Sequence, residues 1–222
     1  MRERITNAYA ARRDPAPEEM SAGDRYIHRR RYEEVRQLLS TKGLLPLSGA
    51  RILEVGCGDG RVLEGLARLG GEERLMAGVD LLPERLALAR ERLPEADLRL
   101  ELATNIPWPD GSFDLVVQFT MLSSITEAHE RRRAASEMAR VLKPGGSILW
   151  YDFIWNPLNR DTRGVTLREL RSLFPGADLS ARRITLLPPL ACLLAPLSTS
   201  ACGALQALPT LRTHYLALVR PQ

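Results

Sequence analysis

The chain has 222 residues, 45% of them hydrophobic, enough to bury a full core in one ordinary α/β domain. Its formal net charge of +4 is a modest basic balance, too small to identify a polyanionic partner. No uninterrupted apolar run is long enough to span a bilayer, and Cys57, Cys192 and Cys202 lack the paired spacing of a zinc or redox motif. A reduced, cytoplasmic protein without a bound metal is the expectation.

The first 24 or so residues are polar around "DPAPEE" and lack the apolar core of a signal peptide. "RYIHRRRYEEVRQLLSTKGL" then spaces Ile27, Val35, Leu38 and Leu39 as one helix face that ends at Gly43. Alternating units follow. Strand "ARILEVG" leads to helix "RVLEGLARLG", strand "RLMAGVD" to helix "PERLALARERL", and strand "LRLELA" to a proline-broken loop. Strand "FDLVVQFT" precedes helix "EAHERRRAASEMARVL", and "GSILWYDF" is the next strand. In the tail, "ARRITLLP" and "HYLALVRP" read as two more strands separated by an uncharged apolar stretch. A parallel crossover needs a helix to return the chain, so this alternation predicts a doubly wound parallel sheet. The expected layout is an arm and lid helix over residues 1–48, and a ligand-binding domain over 49–222 with an apolar insertion at about 184–211.

Between the first strand and its helix lies "ILEVGCGDG", with Gly56, Gly58 and Gly60 in the order G-x-G-x-G. Such a loop sits at the carboxyl end of a strand, where this kind of sheet binds ligands. Glycine there permits positive φ and a close approach of backbone to ligand. The dinucleotide fingerprint G-x-G-x-x-G would need glycine at position 61, which is Arg61, and the G-K-[ST] of a Walker loop is absent. A nicotinamide-dependent oxidoreductase is disfavoured on that ground and by the lack of a Tyr-x-x-x-Lys pair.

Four stretches, "ILEVGCGDG", "AGVDLLPERL", "IPWPDGSFDLVV" and "EMARVLKPGGSIL", resemble in order and spacing the class I S-adenosylmethionine-dependent methyltransferases. The resemblance runs from about Arg51 to Ser147 and more loosely to the end. It implies a seven-stranded, mostly parallel Rossmann-like sheet with helices on both faces, and S-adenosyl-L-methionine as cofactor. Glu54 would then lie near the cofactor's amino group, with the backbone of Gly56, Cys57, Gly58 and Gly60 against its methionine portion. Asp80, followed by Leu81, would accept hydrogen bonds from the ribose hydroxyls. Leu102 stands where the family often has an acidic residue for adenine. Backbone near Ala103 and the side chain of Thr104 or Asn105 would hold the base instead, and Gln118, on the fourth strand, joins this cofactor set.

The sulfonium methyl is already activated, so the protein must chiefly align acceptor, methyl and sulfur. A general base for an oxygen or nitrogen acceptor has to come from the strand ends or the lid. After the fourth strand Ser123 and Ser124 occupy the place where some small-molecule members have histidine. After the fifth, Tyr151, Asp152 and Asn156 reach the same rim. Asp152 is the first candidate base or orienting group, and His28 on the N-terminal helix the second. Arg131, Arg132 and Arg133 read as a solvated helix face, and Trp108 as packing under its loop. The Asn/Asp-Pro-Pro-aromatic run of adenine amino-methylation is absent, so a small-molecule or lipid-linked acceptor is favoured over nucleic acid. The uncharged run from Ile184 to Leu211 points to an acceptor with an apolar portion, or to a face resting on a membrane or a second subunit. A non-catalytic, cofactor-binding partner subunit is the alternative from outside the enzymes.

Overall fold

A computed structural model describes residues 19–154 and 162–221, so the N-terminal arm and Asn156 lie outside the described residues. The first helix, α1 (Ala22–Thr41), begins where the Ser21 hydroxyl accepts the Asp24 N–H at 3.0 Å. It stops before Gly43, whose φ of 69° is left-handed.

Seven strands follow: β1 (Ile52–Val55), β2 (Met76–Asp80), β3 (Asp97–Leu100), β4 (Phe113–Phe119), β5 (Leu142–Phe153), β6 (Asp178–Leu186) and β7 (Arg212–Arg220). They form one sheet in the order β3-β2-β1-β4-β5-β7-β6, parallel except for β7, which runs against both neighbours. The order reverses between β1 and β4, and the crevice for a ligand opens at that switch point.

Six further helices are α2 (Arg61–Ala67), α3 (Pro83–Arg92), α4 (Ala128–Arg140), α5 (Leu167–Leu173), α6 (Pro188–Leu194) and α7 (Thr199–Gln206). Side chains alternate across a strand, so consecutive apolar residues of the central strands feed two cores. Ile52, Val117 and Leu149 face Val35 and Leu39 of α1, Leu63 of α2 and Leu86 of α3. Leu53, Val116 and Ile148 face Ala134 and Met138 of α4 and Leu170 of α5. Trp108 joins the second core, its ring edge-on to Phe113 and its Nε1–H donated to Asp97.

Three features depart from the sequence reading. First, α5 was not anticipated, although its signal is present: Thr166 caps the Glu169 N–H at 3.1 Å, in the order T-x-x-E. Second, Arg131 is fully buried, not solvated. Its guanidinium donates to the carbonyls of Ile125, Arg163 and Gly164 and to the Glu169 carboxylate, stitching the turn after β4 to the segment that enters α5. Third, the uncharged insertion is a pair of short helices, α6 and α7, packed on the first half of α1. Tyr26, Leu186, Ala191 and Cys202 form a small core there, and the Tyr26 hydroxyl donates to Gln206 Oε1 at 2.9 Å. The helices cross so tightly that a Cβ on Gly23 would lie 2.5 Å from the Cys192 backbone. Thus α1 is anchored along both halves, and its removal would open two cores.

Candidate functional site

The glycine loop is held by β2. Gly56 and Cys57 both donate their N–H to the Val79 carbonyl, at 2.8 and 3.0 Å. Asp80 closes the arrangement from the end of β2, one carboxylate oxygen accepting the Gly58 N–H and the other the Leu82 N–H, each at 2.9 Å. Gly56 has φ 77° and lies under Met121, whose Cγ would be 2.5 Å from any Cβ added there. Gly58 has φ 52°, and a Cβ on it would meet nothing nearer than Arg85 Nη1 at 3.6 Å. The backbone at Gly58 is therefore open where a ligand would approach.

A cleft runs from this loop along the strand ends. One wall is Gly56, Asp80, Leu81, Leu82 and Arg85; the far end is Glu101, Leu102 and Ala103; the opposite wall is Phe119, Thr120, Met121, Ser124 and Ile125. Thr120 has φ 59°, a left-handed strain for a β-branched residue at a strand end. Burial raises the Asp80 carboxyl, opposed by the Leu82 and Gly58 N–H groups. Glu54, only 1% exposed, is pushed well above the carboxylate range by burial and then by the charges of Asp80 and Asp59. Its Oε2 is buried without a hydrogen-bond partner.

Of the residues singled out from sequence, Gly56, Asp80, Leu81 and Ala103 line the cleft. Cys57 points away from it, its sulfur packed where a Cβ on Gly78 would fall, and burial pushes its thiol up. Thr104 is buried and Asn105 exposed, and neither lines the cleft. Gln118 lies behind the wall, its Oε1 accepting the Met121 and Leu122 N–H groups. Asp152 lies there too. It accepts the Ser123 N–H at 3.1 Å and its neighbour Phe153's N–H at 2.8 Å, and burial lifts its carboxyl to about 6. Both polar chains shape the turn after β4 rather than face a ligand. His28 lines a separate groove between α1, α2 and α3, where burial and Arg31 depress it to about 4.

Sequence reasoning missed Glu101, Arg85 and Met121. Counting back from Ile106 reaches Leu102, whereas the acid that lines the cleft stands one residue earlier, its Oε1 accepting the Leu102 N–H at 2.8 Å. Among the described residues no cluster of His, Cys, Asp and Glu is arranged to hold a metal.

Residues 53–150 match the family model described as a methyltransferase domain. A ubiquinone biosynthesis O-methyltransferase of Xanthomonas oryzae pv. oryzae is 38% identical over 109 residues, 47% of this chain and 43% of that protein. Residues 53–150 thus carry a methyltransferase domain of the class I S-adenosylmethionine-dependent kind. A ubiquinone/menaquinone biosynthesis C-methyltransferase of Laribacter hongkongensis is 33% identical over 126 residues, covering 54% of this chain and 50% of that protein. The chain thus spans about half the length of these curated relatives. A methyltransferase structure from Archaeoglobus fulgidus superposes with a TM-score of 0.62 at 16% identity, covering 85% of this chain and 94% of the other, which shows the shared fold.

The family's cofactor is S-adenosylmethionine, and the residues present fit it. Gly58 leaves the room that a Cβ would fill, and Asp80 is fixed by two N–H groups at the wall. The Glu54 Oε2 is a buried polar atom that a ligand's polar group would satisfy.

Proposed function

We propose that this methyltransferase acts on a small-molecule acceptor with an apolar portion. The observation that carries the reading is the cleft itself: a charged wall built on Asp80 and the glycine loop faces an apolar one of Phe119, Met121 and Ile125. Bound S-adenosylmethionine supplies an activated methyl group on sulfur. The chain's own residues then do the positioning, which is a large part of the rate for such a transfer. Asp80 accepts from the ribose hydroxyls, Gly58 lets the ligand lie against the backbone, and Glu54 takes the ammonium. Leu102 and Ala103 flank adenine, with Glu101 as the nearby acceptor for its amino group. Asp152 acts through the turn it holds, fixing Ser123 and thereby the cleft wall at Ser124.

The relatives named for ubiquinone and menaquinone biosynthesis support an aromatic acceptor bearing an apolar chain, methylated at oxygen or carbon. The outer face of α6 and α7 adds to this. Leu193, Leu197 and Leu208 are exposed there, Leu197 to 82%, within a run free of charge. A lipid surface or a second copy of the chain would cover such a patch. No described helix is long and apolar enough to cross a membrane. The experiment is transfer of a labelled methyl group to hydroxylated benzoquinols and catechols matched in reacting group but differing in alkyl chain. Turnover that rises with chain length is expected; preference for small, fully polar acceptors would contradict the reading.

A further inference from the structure

The run from Ile184 to Leu211 carries no charge, and an arginine bounds it on each side, Arg183 before it and Arg212 after it. The inner positions of its two helices are accounted for: Ala191, Leu194, Cys202 and Leu205 pack around Tyr26 of α1. The outer positions remain in water. Leu193 is 67% exposed, Leu197, in the turn after α6, 82%, and Leu208, just beyond α7, 51%. Leucine left in water costs free energy in proportion to its exposed area, and covering it recovers that cost.

The base of the insertion is cationic. Leu186 at the end of β6 pairs with Arg212 at the start of β7, so the two ends of the run meet. Arg212 donates to the carbonyls of Arg183, Gln206 and Ala207, and Arg183 reaches the Tyr215 hydroxyl. Among the described residues neither arginine forms an ion pair with a carboxylate, whereas the neighbouring Arg182 pairs with Glu34. An uncharged leucine tip above a collar of two arginines suits a lipid interface, with leucine among acyl chains and guanidinium beside headgroup phosphate. A second copy of the chain fits less well. A two-fold contact through this face would set two collars together, with no carboxylate on either insertion to answer them. A protein interface also carries about one hydrogen bond per 100–200 Å², and leucine, proline and alanine side chains supply none.

The topology gives the face a use. Phe153 at the end of β5 pairs with His214 near the start of β7, so the insertion leaves the sheet at the edge where the cleft opens. We propose that the tip of α6 and α7 docks the chain on an anionic lipid surface, with Leu193, Leu197 and Leu208 in the acyl region and Arg183 and Arg212 at the headgroups. An acceptor held in that lipid then reaches the cleft without crossing bulk water. This use of the docking rests on the apolar acceptor read above, whereas the docking itself is measured without an acceptor.

The test is flotation of the full chain with vesicles of phosphatidylcholine alone and of phosphatidylcholine mixed with phosphatidylglycerol, beside sedimentation equilibrium without lipid. The wild type should float with the mixed vesicles, float less with the neutral ones, and sediment as a monomer. Leu193→Asp combined with Leu197→Asp should lower the partition coefficient roughly tenfold or more, because two exposed leucines are withdrawn from lipid. Arg183→Gln should lower it about fivefold on mixed vesicles and leave it unchanged on neutral ones. Both variants should unfold at the wild-type temperature, since the altered side chains are exposed. A wild type that floats with neither vesicle, or equally with both, overturns the proposal, as does a leucine variant that floats as well as the wild type. A wild-type dimer that the leucine variant dissociates would assign the face to a second copy and equally overturn it. Lipid binding without any preference for acceptors of longer alkyl chain would leave the docking standing and overturn the acceptor reading alone.

Discussion

Asp80 both holds the glycine loop and lines the cleft. Its two oxygens already accept the Gly58 and Leu82 N–H groups, which leaves further lone pairs for a ligand's hydroxyls. Asp80→Ala should weaken S-adenosylhomocysteine binding roughly tenfold or more, since charge-assisted hydrogen bonds contribute about 1.5–3 kcal/mol each. Gly58→Val should do more damage still, because its φ of 52° disfavours a branched residue and the side chain would fill the open space. Calorimetry that finds either variant unchanged would remove its assignment. Asp152 offers a different measurement. Its folded-state value of about 6 lies above the ordinary 3.8, so the folded chain keeps a proton that the unfolded chain releases between those values. Stability in the wild type should therefore decline as pH rises from about 4 to 6 by something near 3 kcal/mol, then level off. Asp152→Asn removes the ionisation, so denaturant titrations at each pH should lack that decline. An identical slope in both proteins would show that Asp152 does not titrate as described.

At the scale of elements, the alternation of strand and helix was legible because each central strand is a short apolar run followed by a turn and an amphipathic stretch. The tail was less so. β6 and β7 could be read from "ARRITLLP" and "HYLALVRP", but nothing periodic distinguished α6 and α7 inside an uncharged, proline-broken segment. Arg131 was misread for a similar reason: three consecutive arginines on a helix look alike in sequence, and only the fold turns one inward. Its deletion should be severe. Arg131→Ala leaves three backbone carbonyls without that donor and the Glu169 carboxylate with only its bond from Arg163, and loss of such a buried charged partner costs about 3–5 kcal/mol. Arg132→Ala, on an exposed neighbour, should change stability by less than about 0.5 kcal/mol. Equal effects in thermal unfolding would contradict the structural role given to Arg131. Deleting residues 1–30 should likewise unfold the chain rather than merely slow it, because Gly23 and Tyr26 lock α1 to α6 and α7.

For the whole molecule, the sheet order places β1 and β4 at the reversal, and the motif on β1 follows from that position. The loop and the acid that line the cleft there were thus readable from "ILEVGCGDG" and Asp80. The cluster behind Phe119 was not, because it is assembled from residues far apart in the chain: Arg31, Phe119, Tyr151 and His214 meet only through packing. His214 stacks on Tyr151 with ring centroids 4.7 Å apart, and burial depresses it to about 3. The folded chain keeps that imidazole neutral while the unfolded chain protonates it below about 6.5. Stability should be lost as pH falls from there towards 3, by about 1.4 kcal/mol per pH unit relative to His214→Phe. Parallel pH curves for the two proteins would contradict this.

The central claim is that the loop at the end of β1 and the acid at the end of β2 make an S-adenosylmethionine site. Calorimetric titration of the full chain with S-adenosylhomocysteine and, separately, with NAD tests it most directly. Saturable binding of one S-adenosylhomocysteine per chain, with no heat from NAD, is the predicted result. Absence of S-adenosylhomocysteine binding, or tighter binding of NAD, would contradict it.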